Sequence, residues 1–346
     1  MEICICLDSE DYLTPQAADA ELWWARELSS RGIRGNFQCV GEMVRTLERT
    51  GRQDVIDAIG GHEIGIHTDY HSAPPNHAEL LEGKSLPLAV ATAQRLEEPC
   101  FATLRRAFGR TPISYVSPGD SWTAATLLAM AQAGVKVWPS HRFDLPDNRP
   151  FWYCGLLALR YAIYFDTYYY ADADRRADFM PDFMKVVEQT ADDGVIVVAT
   201  HPCRLVNADW ADRIFFAGKA PPRASWGPAP QWSAARQQRN KDQVRRWLDE
   251  LQSFRGARIT DLGAVYERCR AGGRELPSLL REAGLSAGTA GDLPLREQAD
   301  SHVAPQVIGQ VRYRWPVYAP GFTGAALVQQ ARQLAWTSAP AGACAS

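Results

Sequence analysis

Over roughly the first 270 residues, short apolar runs alternate with stretches whose apolar positions recur every three or four residues. The first pattern marks strands and the second amphipathic helices. Strands are predicted at 2–7 (EICICL), 35–40 (GNFQCV), 62–67 (HEIGIH), 113–117 (ISYVS), 135–138 (VKVW), 160–165 (RYAIYF), 195–200 (VIVVAT) and 257–260. Helices are predicted at 16–31, with Leu22, Trp23, Ala25 and Leu28 inward, over 41–59 as one or two segments, and at 88–108, 123–133, 180–193, 240–253 and 261–271. A polar loop spans 72–87, and a longer one, 205–238, carries six prolines and glycines between Gly218 and Pro230. Strands separated by helices call for parallel crossovers, so the chain reads as α/β, either a barrel or a doubly wound sheet.

The pattern breaks near residue 271. Residues 273–346 are expected to be a glycine-rich extension with a short helix, a strand pair at 303–318 and a disordered tail, TSAPAGACAS. The expected division is therefore a barrel-sized unit, 1–272, and a small C-terminal extension, partly irregular. At 346 residues the chain can bury a full core, and 46% hydrophobic with 22% charged residues excludes wholesale disorder.

Lys and Arg number 37 against 40 Asp and Glu, a net charge of −3, which provides no electrostatic footprint for nucleic acid or an anionic membrane. No apolar run approaches the roughly 18–20 residues of a transmembrane segment, and MEICICLDSEDYLTP lacks the basic start and long apolar core of a signal peptide. A cytoplasmic protein starting at or near Met1 is expected. The eight cysteines are scattered without a CxxC pair, as reduced core thiols would be. Phosphate-binding glycine fingerprints are absent.

Three clusters of chemistry-bearing residues stand at predicted strand ends, where parallel α/β folds build their sites. Asp8-Ser9-Glu10-Asp11 follows ICICL, and three carboxyl groups so close need a cation or hydrogen bonds to offset their repulsion. A solvated helix cap would also account for them. His67-Thr68-Asp69-Tyr70-His71 follows HEIGI; its imidazoles at i and i+4 can face one point if a helical turn follows the strand. With one carboxylate they make a two-nitrogen, one-oxygen set for a divalent transition metal with open positions. His201 ends VIVVAT.

These residues carry a resemblance. GHEIGIHTDYH at 61–71 resembles the second signature of the polysaccharide deacetylases, the chitooligosaccharide deacetylase-homology domain of carbohydrate esterase family four. ICICLDSEDY at 3–12 resembles the first, in the variant with D-x-E-D-Y in place of adjacent aspartates. SYVSPGDSW at 114–122 sits where the third signature falls, and VIVVATHP at 195–202 matches the last. The resemblance spans about residues 1–270.

It implies a distorted (β/α)7 barrel with one divalent metal at its rim, zinc first, with cobalt, nickel or iron also accepted by such a set. His67, His71 and one carboxylate would hold the ion, Asp11 as first choice and Glu10 as second. Asp8 would be the general base and His201 the general acid. Pro118, Gly119, Asp120 and Trp122 would line the substrate groove. The implied reaction is metal-dependent hydrolysis of a non-peptide C–N bond, most simply deacetylation of an N-acetylated sugar or glycan precursor. An allantoinase-like amidase on a small non-sugar amide is the alternative, and a barrel that binds carbohydrate without catalysis is a second. The partner implied is a small-molecule or oligosaccharide substrate; the sequence is compatible with a homo-oligomer without specifying one. Val116 stands where the family carries an arginine that orients the base, and the acid beside the general acid is sought at Asp166 or Asp172. Trp210, Trp226 and Trp232, in the long loop, are expected in a lid or subsite wall.

Overall fold

A computed structural model describes residues 1–272 apart from 74, 82, 83, 85, 121, 141–146, 154, 170–177 and 217–221. The expected extension, 273–346, lies outside the described residues. The elements run β1 (Glu2–Ser9), α1 (Ala17–Ser30), β2 (Asn36–Cys39), α2 (Gly41–Arg49), α3 (Gln53–Gly60), β3 (Glu63–Ile66), α4 (His77–Leu81), α5 (Leu86–Phe108), β4 (Ser114–Tyr115), α6 (Ala124–Gln132) and β5 (Val137–Ser140). They continue with β6 (Phe151–Tyr153), β7 (Leu156–Tyr164), α7 (Phe179–Gln189), β8 (Val195–Thr200), α8 (Ala234–Ser253), β9 (Arg258–Ile259) and α9 (Leu262–Gly272).

The order β1-β2-β3-β4-β5-β7-β8 is parallel throughout, and β8 pairs back onto β1, closing a seven-stranded barrel ringed by helices. This is the expected (β/α)7 architecture. Its distortion sits on β1. Only Cys6–Ser9 pair with β2, whereas Glu2 and Ile3 pair with the short β9. The additional β6 forms an antiparallel hairpin with β7, which is why β7 begins four residues before its predicted start at 160.

Strand alternation sorts the side chains into two layers. On β1, Ile3, Ile5 and Leu7 join the cluster beneath the helices, with Trp24, Ala25 and Leu28. Cys4 and Cys6 point the other way and pack with Leu157, Leu159, Tyr161, Val195, Val197 and Ala199 in the interior. Helix α9 closes the lower end: Leu262, Val265 and Tyr266 belong to the same interior cluster. Glu63 accepts hydrogen bonds from the backbone N–H of Leu262 (2.8 Å) and Gly263 (2.9 Å), capping that helix.

On α1 the buried stripe is Ala17, Ala20, Glu21, Trp24, Ala25 and Leu28, an i, i+3, i+4 series. Trp24 therefore takes the inward place expected of Trp23, which is only partly buried, as is Leu22. Helix α8 starts at Ala234 rather than 240, because the Ser233 side chain accepts from the Arg236 N–H and caps it there. The short α4 lies within the predicted loop 72–87. Six cysteines, Cys4, Cys6, Cys39, Cys100, Cys203 and Cys269, are buried and unbridged, as expected of core thiols, while Cys154 and Cys344 lie outside the described residues. Among the described residues no helix is long and apolar enough to cross a membrane.

Candidate functional site

The alternation that fills the barrel also aims its chemistry. The inward row Cys4, Cys6 continues to Asp8 as β1 reaches the C-terminal mouth. Val195, Val197 and Ala199 on β8 lead in the same phase to His201, and Glu63 and Gly65 on β3 lead to His67. Three strands thus deliver an acid and two imidazoles to one rim, where parallel barrels hold their sites.

Glu10, His67 and His71 form a cluster whose nearest ligand atoms all lie within 4.8 Å of one another. Glu10 Oε2 is 2.9 Å from His71 Nε2 and 3.9 Å from His67 Nε2. A tetrahedral ion at 2.0–2.2 Å from each donor requires donor–donor spacings of about 3.4 Å, so the Glu10–His71 pair would open and the wider pairs close around a cation. His67 Nδ1 lies 2.8 Å from the Val116 carbonyl, which can only accept; that nitrogen therefore carries the proton and Nε2 faces the cluster with its lone pair. The residues fit a divalent metal with open positions.

The two histidines do not meet through a helical turn. Residues 67–71 form a tight bend in which Thr68 and His71 adopt left-handed φ of 63° and 56°. Both conformations are costly for non-glycine residues. The bend is tied down by backbone bonds from Gly41 N to Thr68 O (3.1 Å) and Glu42 N to Asp69 O (2.9 Å). Thr68 Oγ1 adds a bond to the His71 carbonyl at 3.1 Å. Asp69 is engaged by Arg45 at 2.7 Å.

The carboxylate in the cluster is Glu10, which corrects the first choice, Asp11. Asp11 points into its own turn, where Oδ1 accepts from the N–H of Leu13 (2.8 Å) and Thr14 (2.9 Å) and Oδ2 from Asn207 Nδ2 (2.7 Å). The physical reason is phase: β1 stays extended through Ser9, so residue 10 continues the inward row of 4, 6 and 8 while residue 11 turns away.

Asp8 and His201 stand beside the Glu10, His67 and His71 cluster, with His201 Nε2 3.6 Å from Asp8 Oδ2. Asp8 Oδ1 accepts from the Tyr161 hydroxyl at 2.9 Å, so Tyr161 holds the acid from the next-but-one strand where Val116 supplies no side-chain donor. Asp166 Oδ2, 3.0 Å from His201 Nδ1, fixes the ring with Nε2 toward Asp8. Asp172 lies outside the described residues. The Tyr164 ring lies parallel to the His201 imidazole (5.9 Å, 7°) and Trp210 meets it edge-on (4.6 Å, 87°).

Electrostatics separate the roles. Burial pushes Asp8 from 3.8 up to about 6. Burial acts in the same direction on Glu10, but the imidazoles of His71 and His201 overcome it and hold the carboxyl at about 2. His67 is pushed down to about 3, by burial first and by the His71 imidazole second. His201 moves the other way: against the cost of burial, Asp166 and Glu10 raise it to about 10. Burial, with Asp8 alongside, keeps the Tyr161 hydroxyl protonated and therefore a donor. The site pairs an ionised Glu10 carboxylate and a neutral His67 imidazole with a raised Asp8 carboxyl and a cationic His201 imidazole.

These groups line a cavity of ≈ 430 Å³ together with Val116, Ser117, Gly119, Tyr164, Thr167, Trp210 and Asp212. Gly119 (φ 55°) belongs to the 3-10 turn Pro118–Asp120. Trp122 does not line the groove: it is fully buried against Trp138, ring centroids 4.5 Å apart, because α6 turns it into the core. Of the long-loop tryptophans, Trp210 reaches the cleft, while Trp226 and Trp232 sit beneath Arg223 and Arg236. Tyr161, Tyr164 and Asp212 were not singled out from sequence; the alternation Leu157, Leu159, Tyr161 carried a signal for the first, and nothing marks Asp212 apart from its neighbour Asp209.

No protein-family model and no curated protein matches the chain. Solved structures do. A protein of Mycobacterium smegmatis described as a polysaccharide deacetylase is 15% identical, covering 78% of this chain and 90% of that one, with a TM-score of 0.49. A family 4 acetyl xylan esterase from Clostridium thermocellum, in complex with a cobalt ion, is 12% identical over 78% of this chain and 91% of that one, TM-score 0.42. A 4-alpha-glucanotransferase from Thermococcus litoralis, 11% identical, covers 78% of this chain and 40% of that one, TM-score 0.50. The likeness is one of fold.

Proposed function

We propose that the chain is a metal-dependent amide hydrolase of the polysaccharide deacetylase type, acting on an N-acetylated sugar or glycan precursor. The observation that carries this reading is the convergence of Asp8 and His201, 3.6 Å apart, beside the Glu10, His67 and His71 cluster in one cleft. A carbohydrate-binding barrel would need neither a buried acid held by Tyr161 nor a cationic imidazole held by Asp166.

Glu10, His67 and His71 would hold a divalent ion, which would supply Lewis acidity toward the amide carbonyl and the attacking water. Asp8 takes the proton of that water as its oxygen bonds to the carbonyl carbon. His201, charged and held by Asp166, then protonates the amine nitrogen as the C–N bond breaks, since an unprotonated amine leaves poorly. The products are a carboxylate, acetate for an acetamide, and a free amine. Hydrolysis of a small non-sugar amide is the second reading, while Val116 at the position of the family's arginine favours the non-catalytic carbohydrate-binding barrel.

The test is acetate release from N-acetylglucosamine and its oligomers, with a parallel screen of small amides, using zinc- and cobalt-loaded protein. His201→Ala and Asp8→Asn are each expected to lower turnover by about 10²–10⁴-fold with metal content unchanged. Wild-type protein that holds one equivalent of metal yet releases no product from any of these would overturn the enzyme reading and leave the binding barrel.

A further inference from the structure

Asp212 lies on the opposite side of His71 from the metal cluster and plays no part in the reaction proposed above. It sits in the 3-10 turn Ala211–Phe216, about 140 residues along the chain from His71. Ser72 joins them. Its Oγ donates to Asp212 Oδ2 at 2.8 Å and lies 2.9 Å from His71 Nδ1. Asp212 Oδ2 is itself 3.5 Å from that nitrogen.

The proton count decides the direction of this chain. A serine hydroxyl has one hydrogen, and a carboxylate can only accept. With that hydrogen committed to Asp212, Ser72 Oγ must accept from His71 Nδ1–H. Nε2, 2.9 Å from Glu10 Oε2, is then the nitrogen that donates to Glu10 in the metal-free protein and the one that would present its lone pair to an ion. His67 reaches the same tautomer through the Val116 carbonyl. His71, on a backbone with φ of 56°, has no such carbonyl partner in its own bend and receives its orientation from a different part of the fold.

Resting on the metal reading above, we propose that Asp212, acting through Ser72, is a positioning residue of the metal centre. It fixes the tautomer and ring orientation of His71 and makes the loop that follows β8 part of the ion's support. Partners of this type, hydrogen-bonded to the far nitrogen of a ligating histidine, contribute about 10–100-fold to metal affinity.

The experiment is zinc affinity of the full chain, measured by competition with a chromophoric chelator, which needs no substrate. Wild type is compared with Asp212→Asn, with Asp209→Asn and with His71→Ala. Asp209 lies on the same loop and pairs with Arg213, so its replacement removes the same charge without touching His71. The expected result is a loss of about 10–100-fold for Asp212→Asn, an unchanged value for Asp209→Asn and the largest loss for His71→Ala. Thermal unfolding of the metal-free Asp212→Asn protein should match wild type, which separates a positioning effect from misfolding. Unchanged zinc affinity in Asp212→Asn, or equal losses in Asp212→Asn and Asp209→Asn, would overturn the positioning role while leaving the metal reading intact. Failure of wild type itself to bind zinc, cobalt, nickel or iron would overturn the metal reading, and this inference with it.

Discussion

Glu21 is a carboxyl group that the proposed chemistry does not use, yet it is 2% exposed on the buried stripe of α1. It accepts from Ser9 Oγ at 2.8 Å, directly behind the site strand. Burial raises it from 4.5 to about 8, opposed by the Ser9 bond and reinforced by Glu10, Asp11 and Asp8. A carboxyl raised in the folded state keeps its proton there after the unfolded chain has lost it. Its contribution to stability is therefore complete below pH 4.5 and is lost as pH rises through about 8. At about 1.4 kcal/mol per pH unit, the loss is on the order of 5 kcal/mol. Glu21→Gln retains the shape without the ionisation. Urea unfolding of metal-free protein should show near-equal stabilities at pH 5 and a mutant more stable by a few kcal/mol at pH 9. An equal difference at both pH values would show that Glu21 does not titrate in this window.

At the scale of elements, the site is legible wherever a strand delivers a residue and illegible wherever a loop does. Asp8, His67 and His201 each continue a two-residue alternation that the sequence displays, so their convergence follows from strand phase. Choosing between Glu10 and Asp11 required knowing that β1 stays extended through Ser9, whereas the apolar run ends at Leu7. Trp122 illustrates the converse: its position after a Pro-Gly turn suggested a groove, but the capping box of Thr123 and Thr126 starts α6 immediately and sends the ring inward. Asp166, Asp212 and the bend at 67–71 depend on contacts distant in sequence, which no local pattern encodes. The strand argument itself makes a prediction at Gly65, between Glu63 and His67 on the inward face. A Cβ there would overlap the Gln38 carboxamide and come 2.5 Å from Ser114 Oγ. Both groups are buried and bonded to each other at 2.7 Å, so neither moves freely. Gly65→Ala should cost about 1–3 kcal/mol by overpacking and should weaken zinc binding by displacing His67. Wild-type stability and zinc affinity in that variant would refute the close packing of β2, β3 and β4.

The described barrel closes where the alternating sequence pattern stops. Seven parallel strands leave β1 only half paired with β2, and the gap at its lower end is taken by β9 and plugged by α9. Leu262, Val265 and Tyr266 are buried in the interior cluster. At roughly 1.5–3 kcal/mol for each fully buried apolar side chain, they contribute an amount comparable with the whole stability of a typical domain, about 5–15 kcal/mol. Removing α9 would also leave Glu63, 4% exposed, without the two backbone donors that hold it. A carboxylate stranded in that position costs about 1–3 kcal/mol or more. The barrel's boundary is thus expected at its plug. A chain of residues 1–272 should unfold cooperatively in urea and retain the zinc affinity of the full chain, because the described site and its supports lie within it. A chain ending at residue 256 should show neither. If 1–272 instead unfolds without a transition, residues 273–346 contribute to the barrel core and the division into barrel and extension is wrong. If 1–256 folds and binds zinc, the plug is dispensable and the energy assigned to α9 resides in the strands.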